Sequence, residues 1–147
     1  MATRNYFRTP ERLHALTDAV QEWIGTPYVG SGAIKRNGAS CHRLAGAVLT
    51  EAGFEVRPPE KNQTGLRQFT ATMEAWLDAS PQFSRLPTRS DIQPGDVLLC
   101  EYGIGHIALA VGDGGAMQVL RHQPAHIVQL ADPNVAKRIL VVYRPVE

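Results

Sequence analysis

Cysteine and histidine are the residue types in this chain whose setting could support covalent chemistry, and Cys41 comes first. It follows Gly38-Ala-Ser and precedes Leu44, Val48 and Leu49, which recur at helical spacing. Gly38 permits a tight approach, and Ser40 has the side chain of an N-cap. A sulfur placed there meets unpaired amides and the positive end of a helix macrodipole, which favour the thiolate. Position alone also fits a small buried core cysteine. A cysteine nucleophile further needs a base and a polar group to orient that base. Of the five histidines, His106 begins an apolar strand directly after Gly103-Ile-Gly, so its ring would be held firmly yet stay approachable. An ordinary strand-end histidine would read the same way. Gln118 lies on the partner strand across an Asp113-Gly-Gly turn, where its amide oxygen could orient the imidazole. On spacing alone it is an ordinary sheet residue.

Other constellations lead elsewhere. His122 and His126 could suggest a metal pair with Cys41 or His42, but Pro124 forbids the regular helix that would align them, and no carboxylate cluster completes a site. No metal or other cofactor is expected. Gly30-Ser-Gly and Gly112-Asp-Gly-Gly lack the phosphate-binding fingerprints and read as turns. His14 falls on the polar side of its helix.

The elements that must position these residues follow from the apolar pattern. Thr9-Pro10 reads as N-cap and first helical position, with Leu13, Leu16, Val20, Trp23 and Ile24 on one face as far as Gly25. A loop rich in Gly and Pro leads to the Cys41 helix, which stops at Ala52-Gly53. Pro58-Pro59 marks a connector, and Leu66, Phe69, Met73, Trp76 and Leu77 form the stripe of a third helix. Residues 80–89 read as loop. Strands follow at 97–101, 106–112, 116–120, 125–130 and 138–143. Helices first and a meandering antiparallel sheet after make an α+β fold, with N-terminal helices packed on a C-terminal sheet.

With 147 residues, 44% of them hydrophobic, the chain suits a single domain over 1–147. A net charge of +1 without basic clusters argues against nucleic acid and against an anionic membrane surface. Two cysteines, Cys41 and Cys100, do not make a disulfide framework. The first residues lack a signal-peptide core, and no apolar run approaches the ~18 residues of a membrane span. The expectation is a product that starts in the cytoplasm; action outside the cell would need a phage tail or another non-Sec route.

Several of these pieces fit one pattern in order. Trp23-Ile-Gly-Thr-Pro-Tyr-Val-Gly, the Cys41 helix with Gly46 and Leu49, Ile92-Gln-Pro-Gly-Asp-Val-Leu-Leu and Gly105-His-Ile-Ala-Leu-Ala-Val-Gly-Asp-Gly together resemble the NlpC/P60 cysteine peptidases, a papain-like family of cell-wall hydrolases. The resemblance implies the papain-like fold, with Cys41 as nucleophile, His106 as base and Gln118 at the third position, which the family fills with His, Asn or Gln. It places Tyr28 beside the nucleophile as an oxyanion partner, along with the Cys41 amide. Ser40, His42 and Arg43 would flank the substrate. Cysteine before histidine argues against the circularly permuted relatives that act on lipid acyl groups. The short chain and its ending, Ala136-Lys-Arg-Ile-Leu-Val-Val-Tyr-Arg-Pro, look most like the phage-tail and gene-transfer-agent branch, with tail proteins as possible partners.

The activity so implied is thiol hydrolysis of an amide bond in a peptidoglycan stem peptide. The sequence departs from the family at its centre: Ser40-Cys-His-Arg stands where Asp-Cys-Ser-Gly is usual. Loss of the aspartate removes a negative charge beside the sulfur. Arg43 and His42 could change substrate choice, narrow the cleft, or mark a tail-assembly or binding protein that does not cut. A transferase or deamidase would use the same pair, since only the acceptor differs.

Overall fold

The N-terminal residues fold as their types dictate. The Thr9 hydroxyl accepts the Arg12 amide at 3.3 Å and Pro10 opens α1 (Pro10–Trp23), which buries Leu16, Ala19, Val20 and Trp23. Ile24 is not part of that face: it is the C-cap residue and lies exposed. His14 sits on the solvent side beside Asp18. The structure, a computed structural model, describes residues 4–30, 32–58 and 68–147. Met1, Ala2, Thr3, Ser31, Pro59 and Leu66, which entered the sequence reading, lie outside those residues.

The loop after α1 is more ordered than its Gly and Pro content suggests. It contains a small hairpin, β1 (Ala33–Ile34) on β2 (Gly38–Ala39). Backbone bonds from Val29 to Ala39 and from Ala39 to Pro27 then hold Tyr28 against the strand that leads to Ser40. Any side chain at position 38 would collide with Val29, which accounts for Gly38. Next comes α2 (Cys41–Glu51), which buries His42, Leu44, Ala45, Gly46, Val48 and Leu49. It ends at Gly53, whose φ of +102° lets the Phe54 amide reach back to the Leu49 carbonyl at 2.9 Å. The third helix, α3 (Phe69–Ala79), buries Met73 and Leu77.

The sheet has six strands: β3 (Phe83–Arg85), β4 (Val97–Glu101), β5 (Gly105–Ala110), β6 (Gly115–Leu120), β7 (Gln123–Gln129) and β8 (Ile139–Pro145). Their order is β3-β8-β4-β5-β6-β7, antiparallel throughout. The β5–β6 turn has positive φ at both Asp113 (59°) and Gly114 (72°), the backbone that an Asp-Gly hairpin favours. β3 corrects the loop expected over 80–89: three residues are too few for a periodic signal, and pairing with β8 is what makes them a strand. A short helix, α4 (Pro133–Ala136), precedes β8. Among the described residues no helix is long and apolar enough to cross a membrane.

Alternation along the strands divides the core. Val97, Leu99, Ile107, Leu109, Met117 and Val119 face the helices, while Leu98, Cys100, Ala108, Ala116, Ile139 and Val142 form a second cluster on the other face. Burial on both faces explains the unbroken apolar runs of β4 and β5. α3 is tied to the sheet by the Tyr143 hydroxyl, which donates to Asp78 at 2.9 Å.

The turn before β4 is held by a buried ion pair. Asp96 is fully buried and accepts from the Arg144 guanidinium at 3.1 and 2.9 Å and from the Gln93 amide at 2.8 Å. Burial raises the Asp96 carboxyl above its ordinary range, while Arg144 and the Gln93 amide act against that rise. Replacing Arg144 strands a buried charge, which typically costs about 3–5 kcal/mol. Arg144→Met should therefore lose stability of that order in urea unfolding at neutral pH. The deficit should shrink as pH falls and Asp96 takes a proton; a deficit independent of pH would contradict this account.

Candidate active site

Cys41 is the first residue of α2, half-buried at the wall of a cleft of about 590 Å³. The same cleft is lined by Tyr28, Ser40, His42 and His106. Phe69, Tyr102 and Ile104 add apolar wall, and Arg121, His122 and Gln123 form the edge at the β6–β7 turn. Of the sequence-derived candidates, Tyr28, Ser40, Cys41, His42 and His106 line this cleft, while Gln118 and Arg43 do not.

Arg43 does not line this cleft. Two residues further along a helix turns a side chain through about 200°, and Arg43 instead borders a groove with Gly46, Ala47, Thr50 and Glu51. The expectation that it narrows this cleft is therefore corrected. Ser40 occupies the N-cap position, but its hydroxyl makes no capping bond and is buried without a hydrogen-bond partner among the described residues. Only its carbonyl joins the helix, accepting the Leu44 amide at 2.8 Å. His42 is buried, its ring edge-on to Phe69 with centroids 5.3 Å apart.

The cysteine environment reverses one sequence expectation. Backbone amides of Ile107, His42 and Cys41 itself do favour the thiolate, but burial outweighs them and pushes the Cys41 thiol up to about 11. A charge at a helix N-terminus gains only about 0.3–1 kcal/mol from the macrodipole, less than the loss of water around a thiolate. Cys41 as a residue is only half-buried and still lines the cleft.

His106 is almost fully buried on β5, and its Nε2 lies 3.1 Å from Gln118 Oε1 on β6. The Tyr102 ring stands edge-on against the imidazole at 4.8 Å, and its hydroxyl donates to the same Gln118 oxygen at 3.2 Å. Burial lowers the His106 ring to about 4, with Gln118 pulling it up and His126 pulling it further down. An amide oxygen only accepts, so Nε2 carries the proton and Nδ1 keeps the lone pair a base requires. Burial thus disfavours the charged form of both Cys41 and His106.

The Gln118 amide nitrogen lies 3.3 Å from His126 Nε2, and His126 Nδ1 lies 2.8 Å from the Pro124 carbonyl. Sequence reading weighed His126 only as a metal ligand and did not single out Tyr102. The cross-strand pairing of Gln118 with His126 could have been read from the hairpin register. Among the described residues no group of three or more His, Cys, Asp or Glu could hold a metal ion. Both cysteines are free thiols. Cys100 faces the second core cluster and donates to the Leu98 carbonyl.

No family model matches the sequence, and no curated protein matches it. Solved structures do. An NLP/P60 family protein similar to a lipoprotein, from Staphylococcus aureus subsp. aureus Mu50, superposes with a TM-score of 0.67 at 16% identity, over 100% of this chain and 45% of that one. An NlpC/P60 family protein from Bacillus cereus ATCC 10987 gives 0.62 at 15% identity, over 92% and 40%. The chain has the NlpC/P60 fold. The peptidoglycan hydrolase RipB of Mycobacterium tuberculosis shares it too, with a TM-score of 0.61 at 16% identity over 93% and 66% of the two chains. The chain spans less than half the length of the first two proteins. At these identities the likeness to NlpC/P60 proteins is one of fold.

The neutral pair has a direct readout. Alkylation of Cys41 by iodoacetamide should be slow at neutral pH and keep rising beyond pH 9, as the thiol approaches its value of about 11. A rate already on its plateau between about pH 5 and 8 would reveal a preformed thiolate and contradict this description.

Proposed function

We propose that this chain is a cysteine amidohydrolase of the NlpC/P60 kind that cleaves peptidoglycan stem peptides. The observation that carries the reading is Cys41 at a helix start, sharing one cleft with His106, whose Nε2 is engaged by Gln118. RipB, which has the same fold, is a peptidoglycan hydrolase. The edge of the cleft supports an anionic peptide as substrate. Arg121 and His122 are exposed there, and none of the described lining residues is acidic. Stem peptides carry free carboxylates, and the bond cleaved is that between D-Glu and the diamino acid.

The steps follow from the neutral resting pair. His106 Nδ1 takes the proton from Cys41 Sγ as the sulfur attacks the carbonyl carbon, so no free thiolate need accumulate. The Cys41 amide and the Tyr28 hydroxyl hold the oxygen that gains charge. The protonated His106 gives its proton to the leaving nitrogen, the C–N bond breaks, and an acyl-thioester remains. Water then loses a proton to His106, attacks the thioester, and the thiol is restored. Gln118 keeps Nε2–H in place throughout, leaving Nδ1 to shuttle the proton.

A second reading is a non-catalytic binder of the same peptides, such as a phage-tail component. The strongly raised thiol and lowered imidazole are the observation in its favour, because they disfavour the charged pair.

Incubation with muropeptides separates the two. Wild type should release fragments with a new amine, and Cys41→Ala and His106→Ala should each be slower by at least about a thousandfold. Equal cleavage by Cys41→Ala would sink the hydrolase, and binding without cleavage by wild type would establish the second reading. For the hydrolase, kcat/KM should fall as pH drops through about 4, where His106 gains a proton and ceases to be a base. It should stay level from about pH 5 to pH 9.

A further inference from the structure

Behind His106 runs a chain of polar groups whose proton positions are forced from its far end. The Pro124 carbonyl can only accept, so the His126 nitrogen 2.8 Å from it, Nδ1, carries a proton. In neutral His126 the other nitrogen, Nε2, is then a bare acceptor. It faces the Gln118 side-chain nitrogen at 3.3 Å, which can only donate. That fixes which end of the Gln118 amide points which way. The oxygen is left for the Tyr102 hydroxyl at 3.2 Å and for His106 Nε2 at 3.1 Å.

A primary amide has two nearly isosteric ends, and His106 alone does not choose between them. With the amide reversed, its nitrogen would face His106 Nε2, which would have to accept. The His106 proton would move to Nδ1, and the ring would present a donor where a base is needed. His126 supplies the asymmetry that selects the working orientation.

We propose that His126 is a positioning residue that sets the side-chain amide of Gln118 and, through it, the tautomer of His106. The proposal rests on the reading of His106 as the base. It adds a fourth member, on β7, to the Cys41, His106 and Gln118 set. His126 acts only through Gln118.

The test reads the tautomers directly. In nitrogen-15-labelled wild type at about pH 7.5, long-range imidazole spectra should show His126 as the Nδ1–H form and His106 as the Nε2–H form. The opposite form at either ring overturns the proposal, whether or not the protein cleaves anything. His126→Leu removes the acceptor and should mix the two His106 tautomers, lower kcat about tenfold and leave KM within about twofold. His126→Gln, whose oxygen can accept from the Gln118 nitrogen, should recover most of the lost kcat. A His126→Leu protein with the wild-type His106 tautomer and wild-type kcat overturns the proposal. If wild type proves inactive on muropeptides, the hydrolase reading fails and the tautomers alone decide this one.

Discussion

The arrangement depends on burying α2 on nearly every side. Six of its eleven residues are buried, against α1 on one flank and against β5 and β6 on the other. A helix of this length is marginal alone in water, so tertiary packing is what makes it a helix. The tightness is visible at Gly46, where any side chain would run into Pro58. Such packing fixes the first residue of the helix, and hence the sulfur, against the backbone of β5. It also strips water from that end. The same burial that positions Cys41 therefore denies it a resting negative charge, and positioning and activation become separate problems in this fold.

Behind the cleft the sheet carries a chain of polar groups rather than a charge. Tyr102, His106, Gln118 and His126 come from the β4–β5 turn and three adjacent strands, and each meets a complementary group. Buried polar networks are costly when any member goes unmatched, and specific when all are matched. No carboxylate takes part in these contacts, so the His106 ring has no fixed anion to hold a positive charge in advance. This accords with the low value for His106.

Much of this was legible in the sequence because the decisive signals are local. Thr9-Pro10, the periodic apolar faces of α1 and α2, and the Asp113-Gly turn each specify their own backbone. The turn fixes the hairpin and so brings β6 alongside His106. What escaped depends on packing or register. β3 is a strand only because β8 lies beside it, and the direction of Arg43 follows from the helix rotation about Cys41. The state of the thiol could not be read from its place at a helix start, because solvent exclusion is a property of the whole fold. His126 was hidden by its residue type, which suggested metal, while its contact with Gln118 follows from their pairing on adjacent strands.

Gly105 carries a wider consequence. A side chain there would collide with Thr70 and Phe69 in the first turn of α3, so α3 lies directly against the residue preceding His106. A helix distant in sequence thereby dictates the amino acid next to the candidate base. The glycine before His106 is thus a steric requirement of this chain's packing, imposed by the third helix.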